Sequence, residues 1–382
     1  MYKQCALWEG SWGNIDVVSV SDTHVKLNIR PDPFCASDNA THFQLSMGLD
    51  VGGEGKCWFG RWFYFRAANL DTTREITFEI LNAGAVSFPD GFDGYNVCSS
   101  SDGHDWIRAY FAPYPLQRHA ELIAEVQSLP GVNLTVLGQS LDGRDIDCLR
   151  IEDAPTGAAP LTKRKVWITA RQHPGETMAE WVAEGLLRRL TDPHDAIARQ
   201  LRTRATFYVI PNMNPDGSAR GHLRTNACGA NLNREWATPS LERSPEVYYT
   251  LRAMDAIGVD LLIDVHGDEA LPYNFFVSNH GIPGWTPRLA GLETSLSEAL
   301  LAVCPDFQTE HGYPRIPPGK ADLRSASKQV GQRFDCLAVT LEQPFKDAAN
   351  APEPVREWSP ERAQRLGSYL LNAITSVLPK LR

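Results

Sequence analysis

Residues 173–176 read HPGE, which sets an imidazole and a carboxylate three positions apart. At a strand-to-helix turn this spacing lets His173 and Glu176 meet one ion, and a second imidazole, His266, follows far downstream in the segment DVHG. Two imidazoles and a carboxylate with an open fourth position make a catalytic zinc site, whereas structural sites are closed by four protein ligands. The spacing H-x-x-E recurs at residues 266–269, so spacing alone does not choose; there His266 reads as the ligand and Glu269 as a loop or outer acid. Glu342 ends the otherwise apolar run LAVTLE, where an unpaired carboxylate is costly to bury. Beside a metal it becomes a general base, because zinc brings the pKa of water toward about 7. The segment NLNREW at residues 231–236, preceded by Arg224, supplies amide donors and planar guanidinium forks suited to a carboxylate or an oxyanion.

Taken singly, each of these residues has a plainer reading: a histidine satisfied in a core, a rim carboxylate or ion-pair partner, ordinary polar surface. Their positions along the chain argue for a shared site. Four strand candidates, at residues 166–170 (VWITA), 206–210 (TFYVI), 261–265 (LLIDV) and 336–341 (CLAVTL), each run straight into polar residues. In open α/β sheets ligands bind beyond the carboxyl ends of the strands, so distant residues converge there. A helix is expected over residues 177–190, another over 117–128, a β-hairpin over 134–151 turning at Asp142-Gly143, and a last helix opening at Ser359-Pro360-Glu361.

Upstream, short aromatic and β-branched runs such as WFGRWFYF (58–65), ITFEIL (76–81) and VSFPDGFDGYNV (86–97) alternate with turn formers. They predict an all-β antiparallel sandwich domain over residues 1–113, followed by an α/β catalytic domain over 114–382 with a mixed central sheet flanked by helices. A length of 382 residues suits two domains, and 43% hydrophobic with 22% charged residues suits a globular chain. The net charge of -9 offers no sequence-wide basic field for nucleic acid. No membrane-length apolar run or secretory leader is read, so a cytoplasmic protein is expected. The eight cysteines, Cys5, Cys35, Cys57, Cys98, Cys148, Cys228, Cys304 and Cys336, form no C-x-x-C pair and are expected to be reduced core thiols.

In their order and spacing these motifs resemble the zinc metallocarboxypeptidase family, in its cytosolic carboxypeptidase branch. HPGE is similar to that branch's first metal motif, NPDG (214–217) to its following turn, and NLNREW to its substrate-carboxylate motif. DVHG is similar to its last-ligand motif, TLE (340–342) to its catalytic acid motif, and RWFYFRAANL (61–70) to a strand of its N-terminal β-sandwich. The resemblance implies one Zn²⁺ on His173, Glu176 and His266, with Arg224 polarising the scissile carbonyl. Asn233 and Arg234 would grip the substrate's terminal carboxylate, and Glu342 would deprotonate the attacking water and return the proton to the leaving amine.

One departure is Asn231, where the branch carries aspartate; behind the first histidine an amide replaces a charge that raises ligand basicity. The segment RIPPGKADLRSASKQVG (315–331) makes Arg315, Lys320 and Arg324 candidates for an acidic substrate side chain and leaves the neighbouring Tyr313 as a mobile aromatic; its plainer reading is a basic solvated loop. The expected activity is therefore removal of C-terminal residues from peptides or protein tails by a promoted-water mechanism, with a preference for acidic, glutamate-type ends and a locally positive cleft. Two other readings stay open on the sequence: a zinc deacylase of N-acyl amino acids resembling aspartoacylase, and a non-enzymatic binding protein that uses the sandwich. The sequence does not specify an oligomeric state.

Overall fold

Alternation of side chains along the strands decides how the layers stack. The computed structural model describes residues 6–8, 15–21, 24–29, 64–68, 75–83, 92, 95, 98–101, 105–154 and 162–382. Much of the runs at 58–65 and 86–97, the linker at 155–161, and Cys5, Cys35 and Cys57 lie outside them. In the N-terminal part, β1 (Ala6–Trp8), β4 (Tyr64–Ala68), β6 (Cys98–Ser101) and β7 (Asp105–Ala109) form an antiparallel sheet in the order β1-β4-β7-β6. A second sheet joins β2 (Ile15–Val20), β3 (His24–Ile29) and β5 (Thr77–Ile80), in which β2 and β3 are antiparallel while β3 and β5 run parallel.

The larger part is built on a seven-stranded sheet in the order β13-β14-β12-β10-β11-β9-β8. Its strands are β8 (Val132–Gln139), β9 (Asp145–Ile151), β10 (Arg164–Ala170), β11 (Ala205–Ile210), β12 (Leu261–Val265), β13 (Phe275–Ser278) and β14 (Leu337–Glu342). The four central strands are parallel, and antiparallel partners close both sides, β13 on β14 and β9 on β11. Successive side chains point to opposite faces. Val166, Ile168 and Ala170 of β10 therefore join one core with Ile263 and Val339, while Trp167, Leu262 and Ala338 join another. Strands buried on both faces read as continuous apolar runs, which is why these were conspicuous in the sequence.

The first core is covered by α1 (Leu116–Gln127), α2 (Met178–Leu190), α3 (Ala196–Arg204), α6 (Pro287–Leu301) and α8 (Pro360–Val377). The second is covered by α5 (Pro245–Ile257) and α7 (Ala326–Phe334), and a short α4 (Pro215–Arg220) follows β11. Helices α2 and α8 cross backbone against backbone: a Cβ on Gly185 would lie 2.0 Å from the Gln364 carbonyl oxygen, and one on Gly367 2.0 Å from that of Val182. The helix that leaves the HPGE turn is thus held by contacts no larger residue permits.

The N-terminal part also reaches the site. The Ala112 carbonyl accepts from Thr177 Oγ1 at 2.9 Å and from Trp181 Nε1 at 3.2 Å. Tyr110 stacks on Phe345, three residues past Glu342, with centroids 4.6 Å apart. Of the described cysteines whose side chains are placed, Cys148, Cys304 and Cys336 are buried free thiols as expected, whereas Cys228 is free and exposed.

His119 of α1 bridges to this layer, with Nδ1 2.5 Å from Glu180 Oε1 and Nε2 3.3 Å from Asp147 Oδ2. Burial opposes its charge, but Glu180 and Asp147 more than offset that and hold its pKa up to about 9, above the ordinary 6.5. A raised folded-state pKa stabilises fully below the unfolded value and is lost as pH climbs through the folded one. Denaturant unfolding should accordingly show stability falling by about 3 kcal/mol between pH 6.5 and 9, at 1.36 kcal/mol per unit. His119→Gln should flatten that slope; an equally steep slope in the variant would refute the assignment.

Candidate metal centre and active site

β10 ends at Ala170, and Arg171 then takes a left-handed backbone, φ 57°. A non-glycine residue tolerates this only when its surroundings hold it there. The buried guanidinium does so, donating to the Tyr114 carbonyl at 2.7 Å, to Glu180 Oε2 at 2.6 Å and to the Pro174 carbonyl at 3.0 Å. The turn also lies flat on the strand of chain before Arg224: Gly175 N–H donates to the Leu223 carbonyl at 2.8 Å, and a Cβ on Gly175 would come within 2.9 Å of that oxygen. The outcome is that His173 and Glu176 face one point while Arg224 is delivered beside them.

At that point His173 Nδ1 lies 2.6 Å from Glu176 Oε1, His266 Nδ1 lies 2.8 Å from Glu176 Oε2, and the two Nδ1 atoms are 3.2 Å apart. Among the described residues this is the one group of histidine, cysteine or acidic side chains whose donor atoms all lie within 4.8 Å of one another, and all three residues are buried. Each imidazole turns its other nitrogen to an oxygen behind it: His173 Nε2 to Asn231 Oδ1 at 3.0 Å, and His266 Nε2 to Asp264 Oδ2 at 2.8 Å. Such backing fixes the tautomer and aims Nδ1 inward.

Burial, then the positive charge of Arg224, pushes His173 down to about 4 and keeps it the neutral donor a metal requires. Against burial, His173 and His266 hold the Glu176 carboxyl well below its usual range. Burial likewise opposes charge on His266, but Asp264 and Glu176 raise its pKa well above the ordinary value, so a proton and a metal ion compete for the same lone pair. Once a metal displaces the His266 proton, two imidazoles and an ionised carboxylate form a donor set that fits zinc.

Glu342 stands at the end of β14, buried, and its Oε2 has no hydrogen-bond partner among the described residues. Burial, reinforced by Glu176, Asp268 and Glu269 against the pull of His266, drives its pKa well above the usual carboxylate value. A buried carboxylate oxygen without a donor is expensive, and a proton or a ligand atom relieves it. Arg224 NH1 sits 3.7 Å from Glu176 Oε1 and 4.0 Å from Glu269 Oε1.

The carboxylate-binding candidates gather on the other side. Asn233 Oδ1 accepts from the Ala326 N–H at the start of α7, 2.8 Å away, which leaves donation to Nδ2. Arg234 donates to the Asn233 carbonyl at 2.7 Å, and burial together with neighbouring Arg224 brings its pKa down to about 10. Tyr313 closes the rim: its hydroxyl donates to the Asp268 carboxylate, and its ring meets Phe275 edge-on at 5.3 Å, opposite Glu342 in the β13–β14 register.

The structure brings His173, Glu176, His266, Arg224, Asn233, Arg234, Tyr313 and Glu342 together; the three other basic candidates fare differently. Arg324 reaches the rim, where its charge acts on Arg234, but its guanidinium grips Asp322 at 2.9 Å. Arg315 is 76% exposed and leans on Glu293 of α6 at 3.8 Å. Lys320 lies exposed in a turn closed by its N–H to the Pro317 carbonyl. Part of the segment expected as a loop is helical, since α7 begins at Ala326. The cleft expected to be locally positive also holds acidic side chains: Asp264, Asp268, Glu269 and Glu342 are buried around His173, Glu176 and His266, so the site has an acidic and a basic half.

Sequence reading gave no role to Asp264, Gln172, Trp236 or Asp268. Asp264 had a signal, because a residue two before His266 on a strand shares its face; the others meet only through the fold.

Comparisons with known proteins follow the same lines. Residues 120–250 match the family model described as zinc carboxypeptidase, and residues 10–120 match that of the cytosolic carboxypeptidase N-terminal domain. His266 and Glu342 lie beyond both matches. An uncharacterised protein of Zymomonas mobilis is 42% identical over 357 residues, 87% of this chain and 91% of the relative. Cytosolic carboxypeptidase 6 of Caenorhabditis elegans is 27% identical over 379 residues, 88% and 77% of the two chains. Among solved structures, a metallo-carboxypeptidase of Pseudomonas aeruginosa in complex with (2-guanidinoethylmercapto)succinic acid superposes with TM-score 0.88 at 38% identity, covering 99% of this chain and all of that one. A metallo-carboxypeptidase of Burkholderia cenocepacia gives 0.85 at 38% identity, covering 99% of each.

Proposed function

Because this chain belongs to the zinc carboxypeptidase family, and is thus a zinc-dependent hydrolase acting at the C-termini of peptides or proteins, we propose how its own residues divide that work. His173, Glu176 and His266 would hold the zinc. When bound, zinc supplies Lewis acidity, which acidifies water and polarises a carbonyl. Asn233 Nδ2 and the Arg234 guanidinium receive the substrate's terminal carboxylate, which orients the last peptide bond and separates two cationic neighbours, Arg224 and Arg234. Arg224 donates to the carbonyl oxygen as negative charge grows there. Glu342 accepts the proton of the attacking water, and as the C–N bond breaks it passes that proton to the departing amine. One water is consumed, and the products are a shortened peptide and a free amino acid.

The observation that carries this promoted-water reading is the partnerless carboxylate oxygen of Glu342, buried next to the His-Glu-His trio. Residues 1–113 and 114–382 are taken as two domains; the chain passes from β7 to α1 across this point. A cytoplasmic location is proposed from relatives named cytosolic carboxypeptidases, and no helix of the described residues is long and apolar enough to cross a membrane.

For specificity, the cluster of Arg224, Arg234 and Arg324, close enough to act on one another, supports a preference for a C-terminal glutamate. A second reading has its own support. The Pseudomonas relative binds a succinate that carries a guanidino arm, and here Asp268 and Glu269 are buried beside Glu342, which would suit a basic end. Protein stripped of metal and reloaded with one zinc per chain, given peptides ending in Glu, Arg or Leu, should release Glu fastest by mass spectrometry. Faster loss of Arg would replace the acidic preference with the basic one. No trimming at full zinc occupancy would reject the peptidase assignment of this site.

A further inference from the structure

Four separate segments of the chain meet at one residue, Gln172. The residue is fully buried between Arg171 and His173. Its Oε1 accepts from Trp236 Nε1 at 2.8 Å, its Nε2 donates to Asp264 Oδ2 at 2.6 Å, and its backbone carbonyl accepts from Asn214 Nδ2 at 3.0 Å. An indole N–H can only donate, so Trp236 decides which end of the Gln172 amide is oxygen. That forces the NH₂ group onto Asp264. Asp264 is thereby held on every side: its Oδ1 accepts from Thr169 Oγ1 at 2.7 Å and its Oδ2 also accepts from His266 Nε2 at 2.8 Å.

At its other end the chain of contacts reaches the anion-binding segment. Trp236 is fully buried two residues after Arg234, and its backbone N–H donates to the Arg324 carbonyl at 3.0 Å. We infer that Gln172 is a positioning residue through which the carboxylate-binding segment and the metal-facing His266 hold each other in place. Asp264 can back the imidazole only along the line that the amide leaves it, and the amide is oriented only while the indole stays docked. In a buried interior such a network acts as a unit, because one missing partner leaves a polar group unsatisfied.

The inference rests on the proposed zinc ligands and predicts something they do not: a residue of the substrate-binding segment that never touches the ion should govern zinc affinity. Trp236→Phe keeps an aromatic ring and removes the indole N–H along with the pyrrole ring, so it is paired with Gln172→Leu, which removes the acceptor and leaves the indole in place. In the full-length chain, zinc titration against a competing chelator should show a dissociation constant weakened by about tenfold or more, in the range typical for loss of an outer partner of a metal ligand. Gln172→Leu should do the same, and the double variant should be no weaker than the worse single one, since neighbours in one network are not additive. Peptide turnover at saturating zinc should lose kcat, and KM should rise as the carboxylate-binding segment loosens.

A purely structural role would lower the melting temperature of the metal-free protein and leave zinc affinity within twofold of wild type; that result overturns the inference while leaving the zinc site intact. Wild-type protein that binds no zinc would overturn the site itself. Should Gln172→Leu fail to fold, Trp236→Phe decides the matter alone.

Discussion

Glu342→Gln should bind zinc with the affinity of the wild type and yet turn peptides over about 10³-fold more slowly, in the range for loss of a general base. The carboxamide has nearly the shape of the carboxyl group, so the end of β14 and the stack of Tyr110 on Phe345 stay as they are. What it lacks is an oxygen able to take a proton. The same substitution should leave the metal-free protein at least as stable, because burial and the nearby carboxylates of Glu176, Asp268 and Glu269 all disfavour charge at this position. Kinetics on protein of verified zinc content, paired with thermal unfolding of the stripped form, separates the two effects. Near-normal turnover with zinc in place would remove Glu342 from the mechanism.

The clarity with which Glu342 stood out in the sequence has a physical origin. The central strands are buried on both faces, so they are written as unbroken apolar runs, and a polar residue at the end of such a run is conspicuous. His173, His266 and Glu342 all sit at these ends, and the expected strands at 166–170, 206–210, 261–265 and 336–341 coincide with β10, β11, β12 and β14 to within two residues. Elements whose identity depends on their neighbours were harder to read. The antiparallel β13 is four residues long, and α7 starts in a stretch whose Lys320, Arg324 and Lys328 look like a solvated loop, although Lys328 is buried with its ammonium on the Ser278 carbonyl.

Local charge is hidden from the sequence for a related reason. A net charge of -9 is a sum over the chain, and it says nothing of how Glu176 and Asp264 come to be buried against two imidazoles. Gln172 and Trp236 were silent because a hydrogen bond between residues 64 positions apart leaves no mark on either local pattern. Asn231 is the instructive intermediate case. The missing carboxylate behind His173 was visible in the sequence, and the structure shows the amide oxygen 3.0 Å from Nε2, in the place where the branch carries an anion. With Asp264 behind the other histidine, the two imidazoles are backed unequally, and His266 is the stronger donor of the pair.

Arg224→Met should reduce kcat by about 10² to 10³, the range for loss of one oxyanion donor, with a small effect on KM. Arg224 lies between the two halves of the site. Its NH1 is 3.7 Å from a ligand carboxylate, Glu176, and its charge bears on Arg234 on the carboxylate-binding side. In the proposed binding mode it would face the bond to be broken, while Arg234 and Asn233 would face the substrate's terminal carboxylate. An interaction that strengthens only as the oxyanion forms appears in kcat, whereas one shared by ground and transition states appears in KM. Arg224 also has a second partner, Glu269 at 4.0 Å, so its charge could serve the acidic half of the site alone. The two roles separate cleanly in the variant. A stabiliser of charge on the substrate predicts slow turnover with unaltered zinc affinity; a counter-charge for Glu176 predicts altered zinc affinity with normal kcat once zinc is saturating. Methionine fills much of the aliphatic volume that arginine leaves, so either outcome reports the lost guanidinium and not a cavity beside Leu223.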